Sequence, residues 1–357
     1  MLDLDDVQSI LKTQGGDSVI KSVDNLQNQL LQSFSESLTI KFPDDYKTVS
    51  NILVCGMGGS RFPAYILQSL YKDKIKIPYN INDDYILPEY VNEKTLVILS
   101  SYSGTTEEVI ECAKQAIKNG AKVTAITQGG EISEILKSNN SPLYIFDPKY
   151  NPSGQPRIGL GYPVGAHLGF LLNLGFINED KKNILEAINN LHNLLKPFMI
   201  NTNRSENPAK NIAFMVYEKC PYFIVSEFLT GVGNAIANQT NETAKSISSY
   251  RVIPELNHHL MEGLKHPEKL KDDTIFIFFF SNLYSNRIQK RFDITKEVIE
   301  KINIKSIRLE LKGVNKLDQV LELISFGSYF SMYLAALYEE DPTVIPYVDY
   351  FKKRLKE

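Results

Sequence analysis

The chain is poor in the features that usually announce a protein's class. Only three cysteines, Cys55, Cys112 and Cys220, occur in 357 residues. An odd, widely spaced set argues against a disulfide framework and fits a reducing compartment. Neither sign of charge dominates: the net charge is −3, so bulk electrostatics give no reason to expect a nucleic-acid partner. A long apolar run is missing as well. Ile275–Phe280 is far too short to cross a bilayer. The start, Met-Leu-Asp-Leu-Asp-Asp, has neither the basic region nor the apolar stretch of a secretory leader. These absences point to a cytoplasmic protein working without nucleic acid or membrane. What is present is ordinary globular composition, 43% hydrophobic and 23% charged, in a chain long enough for two domains.

Two small-residue turns stand out. Cys55 to Ser60 reads Cys-Gly-Met-Gly-Gly-Ser, and Ser100 to Glu107 reads Ser-Ser-Tyr-Ser-Gly-Thr-Thr-Glu. Each follows an apolar run of buried-strand character, Asn51-Ile52-Leu53-Val54 and Thr95-Leu96-Val97-Ile98-Leu99, and each precedes a helical pattern. Strand, turn, helix start is the layout of a phosphate cradle. Glycines allow close backbone approach, N–H groups face the anion, and the helix dipole favours negative charge. No Gly-Lys-Ser/Thr follows either turn, so neither is a nucleotide P-loop. Gly56-Met57-Gly58-Gly59 lacks the final glycine spacing of the dinucleotide fingerprint. Hydroxyls crowd the second turn, which suits a sugar phosphate better than a pyrophosphate.

Periodicity predicts an α/β chain. Residues 1–48 read as an amphipathic N-terminal helical arm, with Val7, Ile10 and Leu11, then Ile20, Val23, Leu26 and Leu30, at helix spacing. The first unit, about 49–150, alternates strands at 51–55, 76–79, 95–100, 122–127 and 143–146 with helices near 60–71, 105–119 and 131–138. Residues 151–208 bridge the halves, with helices near 163–174 and 179–196 and a polar linker from Asn201 to Pro208. The second unit, about 209–340, alternates strands at 222–225, 274–280 and 304–311 with helices near 231–248, 285–301 and 316–338. A cationic helix closes the chain. Alternation with short links implies parallel three-layer sheets, with ligands at the carboxyl ends of the strands. The two halves share a layout, as a duplication would leave them.

Outside the cradles, four features carry chemistry. Arg157 follows a rigid turn, Gln155-Pro156. Glu242 lies late on a helix, in Asn241-Glu242-Thr243-Ala244-Lys245. His258 and His259 adjoin at a helix start. Lys352 and Lys353 lie in the terminal helix. Each also has a plain structural reading: Arg157 as a surface ion-pair partner, Glu242 as a solvated helix face, the lysines as complements to a helix dipole. Adjacent histidines point different ways on a helix and no second Cys/His cluster joins them, so no metal site is expected. Glu242 shares a helical stripe with Gly231, Ala235 and Asn238, small neighbours that fit close packing or a ligand. As a set, an anion cradle, a carboxylate base, a histidine and extra cations suit proton abstraction beside a carbonyl.

Taken in order, Gly-Met-Gly-Gly-Ser (56–60), Ser-Ser-Tyr-Ser-Gly-Thr-Thr-Glu-Glu (100–108), Pro156-Arg157 before Gly159-Leu160-Gly161-Tyr162, Asn241-Glu242 and Glu255-Leu256-Asn257-His258 resemble the bifunctional phosphoglucose/phosphomannose isomerases. That family is built from two sugar isomerase (SIS) domains. The resemblance implies two SIS-type three-layer αβα sandwich domains with parallel sheets, at 49–200 and 201–357, beside the N-terminal arm 1–48 and the C-terminal helix. It implies interconversion of glucose 6-phosphate and mannose 6-phosphate with fructose 6-phosphate, without cofactor or metal. It makes Gly58, Gly59 and Ser60 the first substrate-contacting turn, and Ser101, Ser103 and Thr106 the phosphate-binding hydroxyls. Arg157 would steady the enediolate. Glu242 would move the proton between C2 and C1. His258 and Lys352 would open the sugar ring, with Lys353 the alternative to Lys352. In the family the histidine comes from the neighbouring subunit, which implies a homodimer. Where the family commonly continues Asn-His-Asn-Glu, this chain has Asn257-His258-His259-Leu260, and the usual Gly-Asn-Thr is Gly104-Thr105-Thr106.

Two other functions keep the same cradle: isomerisation of a different sugar phosphate, and non-catalytic sugar-phosphate sensing. No N-terminal cysteine nucleophile accompanies an amino-sugar reading. The 1–48 arm is too short, and too acidic at its start, for the helix-turn-helix module of a sensor.

Overall fold

The computed structural model describes residues 2–355 and 357. β1 (Asn51–Gly56), β2 (Tyr79–Asn82), β3 (Thr95–Ser100), β4 (Lys122–Thr127) and β5 (Leu143–Ile145) form a parallel sheet in the order β2-β1-β3-β4-β5. β1 and β3 are central and buried on both faces, which is why they read as unbroken apolar runs. The period of two sorts their side chains. Leu53 and Cys55 of β1 pack towards Val109, Cys112 and Ala113 of α5 (Glu107–Lys118) and Ile132 of α6 (Gly130–Ser138). Ile52 and Val54 face a separate core that includes α3 (Leu26–Ser37), α4 (Phe62–Leu70) and α7 (Gly161–Asn173). β2 begins three residues later than its expected place at 76–79. Pro78 has no N–H to give a ladder and only its carbonyl is used, accepting from Ile52 N at 2.8 Å.

The second sheet is also parallel: β6 (Cys220–Ser226), β7 (Ser249–Ile253), β8 (Thr274–Phe280) and β9 (Lys305–Glu310), in the order β7-β6-β8-β9. Its order repeats that of β2-β1-β3-β4. α10 (Thr230–Thr243), α13 (Asn286–Lys301) and α14 (Lys316–Leu337) flank it, and α15 (Pro346–Leu355) closes the chain. Besides the short helices Leu260–Gly263 and Leu270–Asp273, a strand and a helix escaped the sequence. β7 lies just past the expected end of the helix near 231–248, where no strand was expected; the helix itself ends at Thr243, and Lys245 turns the chain with φ 52°. As an edge strand β7 is half-buried except at Ile253, so it carries no apolar run. A helix, Pro208–Val216, starts where the linker was expected to end, capped by Asn207 Oδ1 accepting from Lys210 N at 3.0 Å.

One hydrophobic core runs from Leu4 to Leu337 and serves both sheets. α14 is its spine. Its 22 residues reach a mean hydropathy of 1.4 over an 18-residue window that is entirely buried. By length and composition it could span a membrane, but it packs on α10 and the helices Lys181–Leu195 and Pro208–Val216, so it is a core helix. The helices of residues 1–48 lie in this core too. α3 and α7 approach closely because Gly161, Gly165 and Gly169 recur every four residues opposite Gln29, Ser33 and Ser37. A Cβ at Gly165 would lie 2.2 Å from Ser33 Oγ and 2.6 Å from Leu30 O.

Candidate active site

α10 crosses from the second sheet to the first against α4, running the opposite way. Gly231 at its start abuts the backbone of Tyr65 and Ile66, where a Cβ would meet atoms at 2.4 Å. Gly231 N donates to Ser69 Oγ at 3.1 Å, and Asn234 accepts from Arg61 at 3.4 Å. Gly231, the first residue of the Glu242 stripe, thus lets the helices approach. The far end of α10 arrives at the glycine turn after β1, beside Arg157.

Arg157 is 1% exposed, which overturns its reading as a surface ion-pair partner. Its guanidinium has five N–H donors. Nε donates to Thr243 Oγ1 at 3.2 Å and Nη1 to Gln155 Oε1 at 3.0 Å. Nη2 donates to Pro342 O at 2.6 Å and to Thr343 O at 3.0 Å. Nη1 also lies 3.4 Å from Glu242 Oε2. Gln239, one turn before Glu242, grips the backbone by donating to Arg157 O at 2.7 Å. Gly59 fits under this residue, because a Cβ there would stand 3.2 Å from Arg157 N. Gly58 takes φ 49° with open space before it.

Glu242 is the penultimate residue of α10 and its side chain is 31% exposed. It is not a solvated helix face. Burial raises its pKa, and the charges of Arg157, Lys352 and Lys245 pull it partly back. The net rise makes the carboxylate a stronger base while it still ionises. Burial also lowers the pKa of Arg157, opposed by Glu242, Asp341 and Asp349.

The second turn is locked to the first. Ser100 Oγ donates to Ser60 O at 2.7 Å, and Tyr102 N donates to Ser60 Oγ at 2.9 Å. Ser101 Oγ lies 2.8 Å from Thr106 Oγ1 and accepts from Gly104 N at 3.1 Å. Ser60 and Ser101 are buried and their hydroxyls hold the cradle's shape. Ser103 and Thr105 are exposed, with hydroxyls 2.9 Å apart, and Thr106 is half-buried. No side chain caps α5, which starts at Glu107, so its first N–H groups are free for an anion. The second half differs at the corresponding place. Glu227 accepts from Ser285 N at 3.3 Å and Ser285 Oγ at 2.7 Å, so the start of α13 is filled by the protein's own carboxylate.

The remaining candidates divide. α15 carries Lys352 close enough to act on the charge of Glu242, whereas Lys353 is not among the groups that do. His258 is exposed in a 3-10 turn, Glu255–His258, beyond the carboxyl end of β7; α11 (Leu260–Gly263) begins only after it. Glu242 sits at the other end of α10, about 20 Å away by the length of a 14-residue helix. Within one chain these two do not meet. His259 is exposed and 3.7 Å from Glu255. Among the described residues no group of three His, Cys, Asp or Glu side chains could hold a metal ion. Gln239 carried no signal in the sequence, and Gln155, Thr243 and Lys245 appeared there only as neighbours of Arg157 and Glu242, with no role assigned. Two cavities of about 700 and 670 Å³ lie elsewhere, one beside Tyr71 and Asp318, the other beside Tyr79 and Ile253.

Comparisons with known proteins agree with this layout. The sequence profile of the SIS domain matches residues 46–144, and that of the bacterial phospho-glucose isomerase C-terminal SIS domain matches residues 205–355. A bifunctional phosphoglucose/phosphomannose isomerase of Caldicellulosiruptor bescii is 32% identical over 95% of this chain and 99% of its own. One of Aquifex aeolicus is 29% identical over 96% and 99%. A solved structure of a hypothetical protein from Thermus thermophilus shares the fold with a TM-score of 0.75 at 14% identity, covering 98% of this chain and 92% of that one.

Proposed function

The chain belongs to the bifunctional phosphoglucose/phosphomannose isomerase family, and from that premise we propose how its Glu242 site works. The reaction is the interconversion of glucose 6-phosphate and mannose 6-phosphate with fructose 6-phosphate. It is an intramolecular oxidation and reduction: C2 is oxidised while C1 is reduced. Ser103, Thr105, Thr106 and the first N–H groups of α5 hold the phosphate, with the glycine turn Gly58-Gly59 as the second wall. His258 and Lys352 open the ring. One takes the O1 proton and the other protonates O5 as the C1–O5 bond breaks. Glu242 takes the C2 proton of the open aldose, giving a cis-enediolate with its charge on O1; the O2 proton passes to O1, completing the shift through the cis-enediol stage, and Glu242 returns its proton to C1 as the C2 carbonyl forms. Arg157 opposes the negative charge of the enediolate from a fixed, buried position. Rotation about C2–C3 lets one base serve both C2 epimers.

One observation carries this reading: a raised-pKa carboxylate at 3.4 Å from a buried guanidinium, at the mouth of the glycine turn. His258 reaches Glu242 only from a second copy, so the working unit is a homodimer. Free Cys55, Cys112 and Cys220 fit a cytoplasmic setting. The test is to supply fructose 6-phosphate alone and follow both aldose phosphates by coupled assays, with and without a chelator. Both epimers should appear at rates the chelator leaves unchanged. Absence of either epimer overturns the dual specificity, and absence of both overturns the isomerase reading.

A further inference from the structure

Three successive carbonyls, those of Asp341, Pro342 and Thr343, link α14 to α15. Two cations beside Glu242 hold all three. Arg157 takes Pro342 O and Thr343 O at 2.6 and 3.0 Å. Lys245 takes Asp341 O, and also Thr243 O at 3.2 Å. Lys245 can do so because the chain turns at it with φ 52°, which folds its side chain back under the end of α10. The Asp341 carboxylate stiffens the same link by accepting from Thr343 N at 2.8 Å and Thr343 Oγ1 at 2.6 Å. Beyond the link, α15 has no buried residue, and Tyr347, Tyr350 and Phe351 are exposed. Ten residues are too few to hold a helix without tertiary support. The position of Lys352 over Glu242 therefore depends on how the link is anchored.

We propose that Lys245 is a positioning residue for the isomerase site: it fixes the end of α10 to the link, and so sets Lys352 and the electrostatics around Glu242. This rests on the reading of Glu242 as the base. The groups that face the carboxylate are Arg157 from the loop before α7, Lys352 from α15 and Lys245 itself. Glu340 and Asp341 act on Lys245 in turn, and Asp349 on Arg157. Each of the three cations favours the ionised carboxylate, so removing one raises the pH at which Glu242 becomes a base. A lysine that acted only through its charge would move that pH and leave the plateau kcat unchanged, so kcat is the readout of the anchoring.

The experiment compares Lys245→Met and Lys245→Arg with the natural protein, as full-length chains, on glucose 6-phosphate and mannose 6-phosphate. Lys245→Met should lower kcat about tenfold or more with KM within about threefold, because an aligned base is lost rather than a binding contact. The acidic limb of its kcat/KM profile should move up by about half a pH unit. Lys245→Arg keeps the charge and should restore both kcat and the limb. If Lys245→Met fails to fold, Lys245→Gln is read in its place. Natural kcat in a folded neutral variant, whether or not the limb moves, overturns the proposal. A natural protein that turns over neither sugar phosphate overturns the isomerase reading instead.

Discussion

Arg157 Nη1 lies 3.4 Å from Glu242 Oε2, with the guanidinium sealed and the carboxylate open on one side. The asymmetry divides the labour. The arginine is held by Thr243, Gln155 and two backbone carbonyls, so it cannot swing. The glutamate is the partner free to meet a substrate. A fixed cation beside an accessible base stabilises developing oxyanion charge without reorganising when it appears.

Arg157→Lys should therefore fail although it keeps the charge. A lysine is a point donor and cannot span four acceptors. Pro342 O or Thr343 O would be left unpaired, at about 1–3 kcal/mol each. Urea denaturation should show a loss of about 2–4 kcal/mol, and kcat should fall by about a hundredfold or more. Natural stability in this variant would mean that the fork does not hold the link.

His258 and Glu242 stand at opposite ends of α10, so the active pair should form between chains. Co-refolding Glu242→Gln with His258→Ala tests this directly. Each parent should be nearly inactive. Random pairing makes half the dimers mixed, and each mixed dimer regains one intact site of two, so about a quarter of natural activity should return. No recovery in mixtures shown by mass to contain mixed dimers would place the histidine in its own chain or outside the reaction.

His167 gives the fold a pH dependence separate from catalysis. It is fully buried in α7, Nδ1 donates to Pro163 O at 2.7 Å, and Nε2 has no partner among the described residues. Burial holds its pKa down to about 4, against 6.5 unfolded. The unfolded chain thus binds the extra proton first as pH falls. The stabilisation is full above 6.5 and is lost between there and about 4, amounting to about 3 kcal/mol. Denaturation midpoints of His167→Gln should lack this slope. An equal slope in the variant would assign it to other groups.

How much of this was legible in the sequence depends on distance along the chain. The two turns were legible because a cradle is built from consecutive residues: β1 with Gly58 and Gly59, β3 with Ser101 to Thr106. The alternation of strands and helices followed from local periodicity. Glu242 was visible through its stripe of neighbours Gly231, Ala235 and Asn238, of which Gly231 proved to be the close contact with α4. β7 was not legible, because a half-buried edge strand carries neither an apolar run nor clean alternation. Nor was the burial of Arg157, whose partners Thr243 and Pro342 lie 86 and 185 residues away. Lys245 was hidden for the same reason, since its clamp closes on a carbonyl 96 residues on.

The most direct test is Glu242→Gln, read on both aldose phosphates in deuterated water, with fructose 6-phosphate affinity measured alongside. Turnover and solvent exchange at the transferred hydrogen should fall together for both epimers, by about 10⁴ at the upper end of what a general base supplies, while affinity stays within about threefold. Conversion of either epimer at the natural rate, with deuterium still entering the product, would contradict the assignment of Glu242 as the base.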